Sequence, residues 1–176
     1  VFDGAEIYNA SVYTWMVSDG IHFEIGFLID QLTVLMMTVV TGVSLMVHIY
    51  TIGYMSEDPG YQRFFSYISL FTFSMLMLVM SNNFMQLFFG WEAVGLVSYL
   101  LIGFWFKKET AIFANMKAFL VNRVGDFGFL LGIACVVMYT GSLDYYEVFG
   151  NAGKMSSATM EIFNGSEWSV ITVACI

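Results

Sequence analysis

The sequence predicts an all-α fold, a polytopic bundle of transmembrane helices. Hydrophobic residues make up 59% of its 176 residues and charged residues only 11%, far below the roughly 25% charged residues of an average soluble domain. Four apolar segments are each long enough to cross a bilayer, which takes about 20 residues. None alternates with the period of two that barrel strands require, so helices, which satisfy their own backbone hydrogen bonds, are the expected form.

The elements follow from the apolar runs and the short polar links between them. We expect an outer-side (periplasmic or intermembrane) amino-terminal segment, four spans, an outer-side loop and the start of a further span. Their ranges are 1–26, 27–55, 63–81, 84–106, 112–140, 141–167 and 168–176. Short links make successive helices antiparallel neighbours. Because the sequence opens without Met and stops inside an apolar run, we expect a piece of a longer protein.

The positive residues predict how the bundle is oriented. Arg63, Lys107 and Lys108 lie in or beside the links on one side, whereas the loop on the other side carries only Lys154. Links that face the cytoplasm carry an excess of Lys and Arg, so the first side should face the cytoplasm or the mitochondrial matrix. The acidic amino-terminal segment, which includes Asp19, should then lie on the outer side.

Charged residues inside the apolar spans are the main indication of function. Glu92 lies about three residues from the middle of the third span, and Asp126 lies at the centre of the fourth. Arg123 precedes Asp126 by three positions and therefore shares its helical face. A buried charge in a membrane span is costly, and such residues are typical of proton or ion paths. At the outer start of the first span, Asp30 is placed to cap its helix.

Each candidate residue also has a structural alternative. Arg123 and Asp126 could form an ion pair that pins two helices, and Glu92 could be an inert, protonated carboxyl. Lys117 could reach the cytoplasmic interface by snorkelling. Histidine exchanges protons near neutral pH, but His48 lies late in its span and could be an interfacial residue. The predicted site residues are Glu92, Asp126, Arg123 and Lys117, with His48 as a possible relay.

The sequence lacks the patterns of a cofactor or nucleotide site. Cys135 and Cys175 lie in apolar runs without metal-ligand spacing, and there is no glycine-rich phosphate loop or nucleophile–base arrangement. We expect no cofactor, no metal and no nucleic acid in this chain. Any redox or ATP chemistry that drives the protein should take place elsewhere.

Several sequence blocks resemble one family. The blocks are Ile29–Thr33, Gly60–Phe65, Gly90–Phe104, Met116–Phe119 and Asn122–Asp126. They resemble a family of antiporter-like subunits, called chain 5 or subunit L. It is the largest antiporter-like subunit of respiratory complex I, the proton-pumping NADH:quinone oxidoreductase. The resemblance covers nearly all of the chain.

The resemblance implies an antiporter-like proton-channel subunit in which Glu92 pairs with a lysine that lies beyond Ile176. It implies a multi-pass protein of the bacterial cytoplasmic membrane or mitochondrial inner membrane, in contact with lipid and with other membrane-arm subunits. Proton translocation would be coupled to NADH oxidation and quinone reduction. NADH, FMN, iron–sulfur clusters and quinone would bind in partner subunits, and this chain would bind no small molecule other than protons.

Three interpretations therefore stay open. The first is a complex I membrane-arm subunit, a non-redox part of a translocase. The alternative within the same superfamily is the large subunit of a multi-subunit Na+/H+ antiporter, or the membrane subunit of an ion-translocating hydrogenase. The third is a structural helix bundle whose ion pairs are inert.

Overall fold

Four long helices dominate the structure, a computed structural model that describes residues 6–18, 20–162 and 165–175. They are α1 (Gln31–Tyr54), α2 (Tyr61–Val79), α3 (Phe84–Ile102) and α4 (Glu109–Thr140). All four are long and apolar enough to cross a membrane, and each packs against the next along the chain. The predicted transmembrane bundle is confirmed.

The amino-terminal segment contains a β-hairpin that the sequence analysis did not predict. β1 (Tyr8–Ser18) pairs antiparallel with β2 (Ile21–Ile29), and Gly20 has the positive φ of 79° that the turn between them requires. Because β2 runs as far as Ile29, the first helix begins at Gln31 and not at residue 27. Residues 27–29 are as apolar as the helix that follows them, so hydropathy did not separate strand from helix.

α1 begins where Asp30 caps it. The backbone N–H of Thr33 donates a hydrogen bond of 2.7 Å to the Asp30 carboxylate. This bond satisfies one of the donors that the first turn of a helix leaves free. The predicted capping role of Asp30 is confirmed.

The other helices differ from the predicted spans at their ends. α2 covers residues 61–79 instead of 63–81, and α4 begins at Glu109 instead of residue 112. α3 ends at Ile102 instead of residue 106, because the chain turns and buries Phe104, which is only 3% exposed. The ring of Phe104 packs edge-on against Phe64 of α2, with 5.0 Å between ring centroids.

Residues 141–167, predicted as a loop, contain several short elements. These are α5 (Tyr145–Gly150), α6 (Ala152–Ser157), β3 (Thr159–Ile162) and the start of β4 (Ser166–Ser169), which pairs antiparallel with β3. The helix α7 (Val170–Cys175) follows, within the predicted start of a further span. A buried cluster fixes this region to the end of α4; its members are Val136, Val148, Met155 and Val170.

The connections gather at the two ends of the bundle. At one end the backbone N–H of Leu28 in β2 donates to the carbonyl of Met80, after α2, at 3.0 Å. At the other end the indole N–H of Trp105 donates to the Asp58 carboxylate at 3.2 Å. The backbone N–H of Gly60, together with this indole, holds the pKa of Asp58 below its usual value. Neighbouring helices thus run antiparallel.

α2 and α3 approach each other closely at Gly90. A Cβ atom at this position would lie 2.8 Å from the Cα and Cβ atoms of Leu78. Gly90→Ala should therefore force the two helices apart and lower the free energy of unfolding by about 1–3 kcal/mol, the usual cost of overpacking. Thermal unfolding of the full-length protein in detergent measures this effect.

Gly95→Ala is the matched control on the same helix. A Cβ atom at Gly95 would meet nothing within 4 Å. This change should leave stability unchanged or raise it slightly, since alanine has the higher helix propensity. Equal thermal stability of the Gly90 and Gly95 variants would contradict the close approach of α2 and α3.

Candidate functional site

The charged residues of α3 and α4 meet in one cluster. Nη1 of Arg123 on α4 forms an ion pair with Oε2 of Glu92 on α3. The same Nη1 lies 3.2 Å from Oδ2 of Asp126. One guanidinium therefore contacts two carboxylates, one on the neighbouring helix and one on its own.

Helix geometry brings this cluster together. The spacing of three places Arg123 and Asp126 on the same face of α4, and this face is turned towards α3. The guanidinium carbon of Arg123 lies 4.8 Å from the centroid of the Phe119 ring, a cation–π distance. The cation is thus held between an aromatic ring of its own helix and the carboxylate of the next.

Trp91 adds a neutral donor to the cluster. Its indole N–H donates a hydrogen bond of 2.8 Å to Oδ1 of Asp126. Asp126 therefore has a donor at each carboxylate oxygen, and its side chain is only 8% exposed. The Glu92 side chain is 26% exposed, and within the described part of the chain Arg123 is its only polar partner. The two carboxylates thus have different surroundings.

A cavity of about 560 Å³ lies between α3 and α4 beside Asp126. Polar groups of Ser98, Asn122, Asp126 and Trp91 line it among apolar side chains. A water molecule takes about 30 Å³ of liquid volume, so the cavity has room for several. Asp126 is the one charged residue among the described residues that line it.

Lys117 does not join this cluster. Its side chain is exposed on α4, and it forms no ion pair among the residues that the structure describes. The snorkelling alternative for Lys117 also stays open. Its part in a proton path stays a prediction.

His48 lies in a separate polar network between α1 and α2. Its Nδ1 is 2.7 Å from the Ser44 carbonyl oxygen, and its Nε2 is 3.3 Å from the Ser69 hydroxyl. The Ser44 hydroxyl continues the network to Thr72 of α2 at 2.7 Å. Of the hydrogen bonds between described residues, none connects this network to Glu92. The relay role of His48 stays a prediction.

Trp91 is the member of the site that the sequence analysis missed. It stands beside Glu92 in a block that resembles the family, but it received no role of its own. An indole N–H within a membrane span has no bulk water to bond to and needs an acceptor in the protein, so a tryptophan beside a charged residue in a span was a usable signal. What the sequence did not show is that the acceptor is Asp126.

No group of three or more His, Cys, Asp or Glu side chains within residues 6–18, 20–162 and 165–175 could hold a metal ion. Cys135 and Cys175 are free thiols.

Comparison with known proteins places the chain in a family. Residues 81–174, more than half of the chain, match the family model described as NADH:quinone oxidoreductase/Mrp antiporter, TM. Residues 15–65 match the model described as NADH-Ubiquinone oxidoreductase (complex I), chain 5 N-terminus. The chain belongs to the NADH:quinone oxidoreductase/Mrp antiporter family. With four apolar helices in addition, it is part of a multi-pass membrane protein.

The curated relatives agree with the family resemblance. NADH-quinone oxidoreductase subunit L of Neisseria meningitidis serogroup A is 67% identical over 171 residues, which are 96% of this chain and 25% of the relative. NADH-quinone oxidoreductase subunit L of Rickettsia bellii is 48% identical over 170 residues, which are 97% of this chain and 26% of the relative. The chain therefore spans about a quarter of the length of these relatives.

Solved structures share the fold. The Mrp complex from Dietzia sp. DQ12-45-1b matches with a TM-score of 0.68 and 26% sequence identity, over 81% of this chain and 15% of that chain. An archaeal respiratory membrane complex, the membrane-bound sulfane sulfur reductase, matches with a TM-score of 0.64 over 81% of this chain and 21% of that chain. At 21% identity, the second match concerns the fold alone.

Proposed function

We propose that this chain is part of a membrane-arm subunit of an NADH:quinone oxidoreductase and takes part in proton translocation. The match to complex I chain 5 and the relatives named subunit L support the proposal. The observation that carries it is the cluster of Glu92, Arg123 and Asp126, in which two carboxylates share one guanidinium between membrane-spanning helices.

The charges of this cluster suit it to hold one proton at a time. With both carboxylates ionised, two negative charges face one positive charge and leave one negative charge in excess. Uptake of one proton makes the cluster neutral, which favours uptake because an unbalanced charge between membrane helices is costly. A positive charge brought close to the cluster would favour release of this proton. The cluster can thus alternate between a charged and a neutral form while Arg123 stays paired.

The redox chemistry belongs to other subunits in this proposal. NADH, FMN, iron–sulfur clusters and quinone would bind in partner subunits, and this chain would contribute a non-redox part of the translocase. Its place would be the bacterial cytoplasmic membrane or the mitochondrial inner membrane. Other membrane-arm subunits and lipid would cover the apolar side chains that are exposed on α1 and α4.

The large subunit of a multi-subunit Na+/H+ antiporter is the second candidate. The structural match to an Mrp complex favours it, and the same charged cluster would serve that function. An ion-translocating hydrogenase subunit is a related alternative.

Co-purification separates the candidates. The full-length protein, isolated from native membranes with a mild detergent, should be recovered together with NADH-oxidising, quinone-reducing activity. Recovery with Na+/H+ antiport activity and without NADH oxidation would overturn the proposal and favour the second candidate.

The proposed orientation is tested by labelling from outside the membrane. Single cysteines at Arg63, Lys107 and Lys154 are introduced after Cys135 and Cys175 have been replaced by alanine. A membrane-impermeant thiol reagent added to the outer side should label position 154 but not positions 63 and 107, because they lie at opposite ends of the bundle.

The orientation prediction has a clear contrary result. Labelling of positions 107 and 154 from the same side would contradict the arrangement of four antiparallel spans. A single cysteine at position 19, which lies outside the described residues, should be labelled from the same side as a cysteine at position 154.

A further inference from the structure

We infer that Trp91 is a positioning residue that keeps Asp126 as the fixed counter-ion of Arg123 and so leaves Glu92 as the carboxyl that takes up the proton. The inference rests on the proposed function and adds to it a division of roles between the two acids. It follows from the donors and acceptors at each carboxylate oxygen.

Both oxygens of Asp126 face groups that can only donate. The indole N–H of Trp91 lies 2.8 Å from Oδ1, and Nη1 of Arg123 lies 3.2 Å from Oδ2. Neither the indole nor the guanidinium has an acceptor site. Each oxygen of Asp126 still has a second lone pair, but a proton there would weaken both existing bonds, because a neutral acid accepts hydrogen bonds less strongly than a carboxylate.

Glu92 keeps one oxygen open. Its Oε2 contacts Arg123, whereas Oε1 has no hydrogen-bond partner within the part of the chain that the structure describes. The Glu92 side chain is also the more exposed of the two, at 26% against 8% for Asp126. A proton on Oε1 of Glu92 meets no competing donor and weakens one charge-assisted contact, that with Arg123, whereas a proton on Asp126 weakens two. Of the two carboxylates, Glu92 offers the better place for the proton.

One ring contact orients the indole, which is 52% exposed in this chain. The Trp91 ring meets Phe129 of α4 edge to face, with 6.0 Å between centroids and 78° between ring planes. Because Trp91 and Glu92 are adjacent in α3, one turn of this helix brings a neutral donor to Asp126 and an acid to Arg123. The two residues thus contact different members of the same cluster.

Trp91→Phe tests the inference, because it keeps an aromatic ring and removes the N–H. Two properties are measured in the intact membrane complex: the infrared difference signal of protonated carboxyls, and the pH dependence of proton translocation. The native complex should show one carboxyl signal that Glu92→Gln removes. In Trp91→Phe the two acids should share the proton, so that this signal divides into two, the second of which a further Asp126→Asn change removes, and the pH profile should shift.

Trp105→Phe is the matched control. Its indole also donates to a carboxylate, that of Asp58 at 3.2 Å, but in a link outside the helices. This variant should leave the carboxyl signal and the pH profile as they are in the native complex.

The possible outcomes separate the inference from the proposed function. A Trp91→Phe complex with the native signal and pH profile, even at lower yield or rate, overturns the inference. If that variant fails to assemble, isotope labelling of the native complex decides: the carboxyl signal should shift with carboxyl-13C glutamate and not with carboxyl-13C aspartate, and a shift with aspartate overturns the inference. A Glu92→Gln complex that translocates protons normally overturns the proposed function instead.

Discussion

Arg123→Met should lower the yield of assembled protein more than any other single change in the cluster. It leaves Glu92 and Asp126 as two neighbouring carboxylates without the cation that they share. Breaking a buried ion pair typically costs about 3–5 kcal/mol. The Arg123 side chain is 32% exposed, so solvent screening should keep the loss near the lower end, about 3 kcal/mol. Native gel analysis of solubilised membranes measures the assembled fraction.

The double variant Arg123→Met with Asp126→Leu separates stability from function. It removes one cation and one anion, so the number of unpaired charges falls and assembly should recover. Glu92 then lacks the positive charge that stabilises its ionised form, and it should hold its proton through turnover. We therefore expect normal yield with poor proton translocation. A double variant that assembles and translocates protons at the native ratio would show that this pair is only structural.

Glu92→Gln should leave assembly normal and impair proton transfer. Glutamine keeps the size of the side chain and its capacity for hydrogen bonds, and Arg123 remains paired with Asp126. Loss of a proton-transferring group typically slows its step by about 10²–10⁴-fold. In the intact complex this should appear as reduced proton translocation, or as a coupled fall of translocation and NADH oxidation. Both rates are measured in membrane vesicles with a pH-sensitive dye and by NADH absorbance.

The membrane helices were predictable because a span must be long, apolar and internally hydrogen-bonded. The ends of the helices were less predictable. The turn after Ile102 depends on Phe104 packing against α2, which hydropathy does not show. The amino-terminal hairpin did leave a sequence signal. Asp19-Gly20 stands between two runs rich in β-branched and aromatic residues, a pattern typical of hairpin turns.

The site was predictable in part for a similar reason. Helical spacing was enough to place Arg123 and Asp126 on one face. The contact of Arg123 with Glu92 depends on the rotation and relative depth of α3 and α4, which a single sequence does not specify. The resemblance implied a lysine partner beyond this chain, and among the residues that the structure describes the ionic partner of Glu92 is Arg123. Trp91 was missed because its role depends on the same packing.

The number of protons moved per NADH oxidised tests the central claim most directly. It is measured in vesicles that contain the intact complex with Glu92→Gln, and with Glu109→Gln, an exposed carboxylate in the first turn of α4, as the control. We expect the control to keep the native ratio and turnover, and Glu92→Gln to lower the ratio, or to lower proton movement and NADH oxidation together. A Glu92→Gln complex with the native ratio and native turnover would contradict the claim that Glu92 carries protons.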